Sequence, residues 1–171
     1  QTFSVAHLAP FVRVSYEKWK EKVAEEMKML KKELSEVEIE YIAQLRTREE
    51  VKSGVQTIQF QENTFSSSNG QTPFVSIFMW VNEKPEYRAE TAMIIEEMIN
   101  LALKECPNKV VYKYKVGDEI RSMTYEAFIS RVYSLGAFLT AKGESAGHIA
   151  CLGANSINWI TAYFTALRSS G

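Results

Sequence analysis

Residues 109–143 read KVVYKYKVGDEIRSMTYEAFISRVYSLGAFLTAKG. Two short runs, KVVYKYKV and EIRSM, flank Gly117-Asp118, a pair suited to the positive φ that a tight two-residue turn requires. The spacing predicts a β-hairpin, with Val111 set apart from the alternating tyrosines and lysines. Thr124 stands where a helix needs an N-cap, because its hydroxyl can accept from a backbone N–H left free in the first turn. Beyond it, Tyr125, Phe128, Ile129, Val132, Leu135 and Leu139 recur at helical steps, and Gly143 supplies the stop.

The same reading extends in both directions. Downstream, HIACL at 148–152 reads as a short apolar strand, and Asn155 or Ser156 caps a last helix that turns Ile157, Ile160, Tyr163, Phe164 and Leu167 inward. Upstream, residues 89–105 place Ile94, Ile95, Met98, Ile99 and Ala102 at helical spacing, and Pro107 ends the pattern. The order from 89 onward is helix, hairpin, helix, strand, helix, so the expected fold class is α/β, with helices packed on a partial sheet.

Ahead of this lies a polar connector at 82–88 containing Pro85, the natural boundary between a region 1–88 and a region 89–171. Within the first region, Tyr16, Trp19, Val23, Met27, Leu30, Leu34, Val37, Tyr41 and Leu45 alternate steps of three and four. That predicts a long amphipathic helix over 15–50, broken near Ser35. Ser53 and Gly54 punctuate the chain, after which VQTIQFQ at 55–61 reads as a strand with Ile58 and Phe60 on one side. With the turn-rich SSSNGQTP at 66–73 and the apolar FVSIFMWV at 74–81, it predicts a loose hairpin.

Composition narrows the function classes. Twenty Lys and Arg against 21 Asp and Glu leave no global field to attract nucleic acid. No apolar run approaches the ~20 residues that span a bilayer. Cys106 and Cys151 have neither metal-ligand spacing nor a disulfide pattern and read as reduced thiols, which points to the cytoplasm. The opening QTFSVAHLAPFV has no basic stretch before its apolar residues and no initiator Met, so it reads as a cut end rather than a signal peptide.

The hairpin, then MTYEAFISRVYSLGAFLTAKG, then GHIACLGANSINWITAYFTALRSSG, resemble in order and spacing the N-terminal subdomain of AMP-forming acyl-CoA synthetases, over residues 92–171. Thr124, Tyr125, Gly143, Asn155 and Trp159 stand at that family's characteristic places. The resemblance implies an N-terminal piece of a ligase that activates a fatty or other carboxylic acid through an acyl-adenylate. ATP, magnesium and coenzyme A are then cofactors of the full-length protein, and its remainder is the partner of this piece. That chemistry needs donors around the phosphates, a magnesium ligand and a lysine at the reacting carboxylate. None of these is in the chain, so the fragment is expected to bind no cofactor and to hold no catalytic or metal-binding residue. An alternative reading is a non-catalytic interaction module that uses the helix at 15–50 to meet a partner or a second copy of itself, since its spacing resembles a coiled coil.

Other constellations have plainer readings. SSSNGQT at 66–72 lacks the lysine of a phosphate loop. His7 and His148 are the only histidines and lie in unlike contexts, which leaves little from which to build a triad or a metal site. The neighbours Glu25-Glu26 and Glu96-Glu97 point about 100° apart on a helix, so they read as solvated faces rather than acid-base pairs. Tyr112-Lys113-Tyr114-Lys115 interleaves rings and cations, a mild single-strand nucleic-acid pattern that a lysine-guarded edge strand explains as well. Asn155 reads as a cap, with ligand contact at the helix mouth as the alternative, and Trp159 reads as core.

Overall fold

A computed structural model describes residues 2–64, 76–143 and 149–169. The chain is mixed α/β, mostly helical with small sheets, and divides into two compact units, Gln1–Met98 and Ile99–Gly171. Among the described residues, no helix is long and apolar enough to cross a membrane.

The first unit is a helical hairpin with a short sheet. β1 (Thr2–Ser4) leads through a 3-10 turn at Val5–His7 into α1 (Ala9–Met29), whose Pro10 sits in the first turn, where its missing N–H costs nothing. α1 ends in a Schellman arrangement: Lys31 N–H donates to Lys28 O at 3.2 Å and Lys32 N–H to Met27 O at 3.0 Å, with Lys31 left-handed at φ 52°. α2 (Glu36–Thr64) starts at once on a reciprocal capping box. The Glu38 N–H donates to Ser35 Oγ at 3.3 Å, and the Ser35 N–H donates to the Glu38 carboxylate at 2.8 Å. The Ser35 hydroxyl, which also donates to this carboxylate at 2.7 Å, and then the Ser35 N–H hold the Glu38 carboxyl below its usual range. α1 and α2 therefore fold back on each other, where the sequence predicted one helix with a break near Ser35.

The phase of the buried face also changes at the break. Val23 is fully buried on α1, but Val37, Tyr41 and Leu45 are exposed, and α2 buries Ala43, Thr47, Val51 and Val55 at steps of four. Those four positions carry α2 straight through Ser53-Gly54, so the expected strand at 55–61 is helix, and the hairpin with 74–81 does not form. Hydroxyls along this stretch bond back along the helix, Thr57 to Ser53 O at 2.9 Å and Thr64 to Phe60 O at 2.7 Å. β2 (Ser76–Phe78) instead pairs parallel with β1, Thr2 facing Ser76 and Ser4 facing Phe78. The turn-rich 66–73 lies outside the described residues. A 3-10 turn at Pro85–Tyr87 then enters α3 (Arg88–Glu105), which ends before Pro107 as expected.

The second unit carries the antiparallel hairpin of β3 (Val110–Val116) and β4 (Glu119–Thr124), with Gly117 at φ 62° in the turn. A register shift between Val110 and Tyr112 makes Val111 the bulged residue. Thr124 Oγ1 accepts from Ala127 N at 3.2 Å and starts α4 (Tyr125–Ala141), which buries Phe128, Ile129 and Val132. Gly143, at φ 75°, follows its end. α5 (Ile157–Ser169) is capped by Ser156, whose Oγ accepts from Trp159 N at 3.2 Å. It packs on α4 where Gly136 lets the Thr165 methyl approach to within 3.7 Å of an added Cβ. The described part of HIACL, 149–152, forms no strand, and Leu152 is fully exposed, so its apolar run is not a buried edge of a sheet. Among the described residues the expected partial sheet is thus replaced by two two-stranded pieces.

Lysine at a left-handed position carries strain that glycine relieves, partly offset by the freedom glycine gains when unfolded. Lys31→Gly is expected to raise stability by roughly 0.5–1 kcal/mol in urea denaturation, whereas Lys28→Gly, inside the helix, lowers it.

Candidate functional site

The polar groups of the first unit converge on Glu50 of α2. It accepts from Lys18 Nζ at 2.6 and 2.9 Å, from Trp19 Nε1 at 2.8 Å and from Ser15 Oγ, all on α1. The Lys18 bond, then Ser15 and Trp19, outweigh partial burial and pull the carboxyl down to about 2. The Trp19 ring is ringed by cations: Lys18 at 4.9 Å, Lys22 at 5.1 Å and Arg46 at 5.2 Å from its centroid. Arg46 also forks onto Glu26 at 3.1 and 2.9 Å, tying α2 to α1 a second time. A cleft of about 640 Å³ runs beside this group, lined by Trp19, Lys22, Glu26, Arg46 and Glu50 among others. Each carboxylate facing it already has a cation, so the cleft has the chemistry of a strut rather than of an acid or base.

A second set fixes α3. Arg48 on α2 donates to Glu96 and Glu97 of α3, both at 3.0 Å. Glu97 is 7% exposed. Burial lowers the affinity of Arg48 for its proton, but the two carboxylates outweigh this and leave it raised. Arg13 on α1 bonds Glu90 and the Glu86 carbonyl, the latter at 3.2 Å, and lies 5.5 Å over the Tyr87 ring. The solvated face expected for Glu96-Glu97 is corrected here: the pair shares one guanidinium, and Glu97 is buried. Arg48, missed in the sequence, sits among exposed charges at 46–50 with no local signal of its partners.

His7 reaches Glu83 at 3.2 Å, and the buried Ser4 donates to the other oxygen of the same carboxylate. The carboxylate separates the hydroxyl from the imidazole, so the histidine does not face Ser4, and the trio pins residues 4–7 to the segment before α3. His148 lies outside the described residues. Among the described residues, no three His, Cys, Asp or Glu are grouped to hold a metal ion. Cys106 and Cys151 are free thiols.

In the second unit the candidates do structural work. Tyr112 packs edge-on to Phe128 at 5.0 Å, and burial pushes its hydroxyl up from its ordinary value. Lys115 pairs with Asp118 across the turn at 3.4 Å. Phe128 meets Phe164 at 5.4 Å, and Trp159 stacks on Tyr163 at 5.5 Å while half-exposed, so Trp159 is a flank of the core rather than its centre. Ser156, not Asn155, caps α5.

A family model described as anaerobic ribonucleoside-triphosphate reductase matches residues 1–130. The anaerobic ribonucleoside-triphosphate reductase of Salmonella typhimurium (strain LT2) is 34% identical over 92 residues, which is 54% of this chain and 12% of that protein. The chain therefore spans a small part of the relative it matches. No solved structure matches.

These matches overturn the resemblance of residues 92–171 to acyl-CoA synthetases. The matched stretch runs through α3, the β3–β4 hairpin and the start of α4, elements that carried the resemblance. Thr124, Gly143, Ser156 and Trp159 cap, stop and flank helices, tasks that any hairpin followed by two helices imposes. The acid-activating function falls with the resemblance, as do ATP, magnesium and coenzyme A as expected cofactors and a ligase remainder as partner. The interaction-module alternative is not supported either, since the matches point to a segment of a reductase.

Two outcomes test this arrangement. Arg48→Met leaves the buried Glu97 without its guanidinium and is expected to cost about 1–3 kcal/mol in chemical denaturation, against less than about 1 kcal/mol for the exposed Arg121→Met. Because Glu50 is depressed from 4.5 to about 2, its contribution is complete above pH 4.5 and drains away as pH falls toward 2. The stability gap between the native chain and Glu50→Gln is therefore expected to be flat from pH 5 to 7 and to shrink below 4.5. With the side chain 44% exposed, that gap is at most about 1 kcal/mol.

Proposed function

Since the chain belongs to the anaerobic ribonucleoside-triphosphate reductase family, we propose that it is a segment of an enzyme that reduces ribonucleoside triphosphates in the absence of oxygen, and that this segment is framework for the reacting groups. The observation that carries the reading is the family match over 1–130, which takes in the whole of the ion-paired α1–α2–α3 group and the β3–β4 hairpin. The geometry supports a framework role. Glu50, Glu26, Glu90, Glu96 and Glu97 each hold a cation from a neighbouring helix, so none stands poised to move a proton. Reduced Cys106 and Cys151 support a reducing, cytoplasmic setting.

The complete polypeptide that contains this segment, purified without oxygen and supplied with a ribonucleoside triphosphate and a reductant, is expected to form the 2′-deoxyribonucleoside triphosphate, read by chromatography. Arg48→Met is expected to lower the yield of folded enzyme and to leave turnover per folded molecule unchanged. Absence of deoxynucleotide with every ribonucleoside triphosphate would overturn the assignment, and a loss of turnover in fully folded Arg48→Met would overturn the framework role.

A further inference from the structure

We draw no further inference here: the strongest candidate, the apolar groove of α1 and α2 that Phe11 rims and Ile94 of α3 borders, is an unpartnered face, and nothing in the structure shows what covers it.

Discussion

A buried carboxylate needs a counter-charge, and in this chain that requirement organises the first unit. Glu97 has left water, and Arg48 reaches it and Glu96 from a different helix at 3.0 Å. The cost of drying a charge falls steeply with a well-placed partner, so the position of α3 against α2 is dictated by where one guanidinium can meet two oxygens. The other cross-helix bonds, Arg13 to Glu90 and Lys18 to Glu50, repeat the same logic with partners closer to solvent. Apolar burial supplies the bulk of the stabilisation, but it is tolerant of small slips; the ion pairs are what discriminate between neighbouring registers.

How much of this was legible follows from which interactions are local. The β3–β4 hairpin, the Thr124 cap and the helix at 88–105 were readable, because turn dipeptides, caps and terminating prolines act within a few residues of themselves. The break at Ser35 was readable too, though the capping box that makes it, Ser35 with Glu38, is a plain signature of a new helix rather than of a kink. A new helix resets the phase. Extending one apolar stripe through the break therefore placed Val37, Tyr41 and Leu45 inward when they face out. The segment 55–61 was misread for a related reason: two residues of poor helix propensity, Ser53 and Gly54, were outweighed by buried Val51 and Val55 on a continuous helical stripe. Cross-helix partners such as Arg48 and Glu97 are invisible to periodicity, since nothing in either stretch names the other.

The ligase resemblance shows how supersecondary grammar can be mistaken for ancestry. A capped helix after a hairpin, a stop glycine and a second capped helix bearing a tryptophan are solutions to packing, and unrelated chains reach them independently. The reductase family model, by contrast, matches residues 1–130, a stretch that takes in both the helical hairpin and the β3–β4 hairpin and so does not rest on one supersecondary pattern.

The parallel pairing of β1 with β2 has a consequence for how the chain acquires its shape. Thr2 and Ser76 are separated by the whole α1–α2 hairpin, so bringing them together closes a loop of roughly seventy residues, while α1 against α2 and β3 against β4 close over short turns. Contacts between near neighbours form quickly, and those between distant ones wait. The ties of the amino-terminal strand and of α1 to the segments beyond Ser76 therefore wait on a far longer closure than the helical hairpin, which closes over its own short turn.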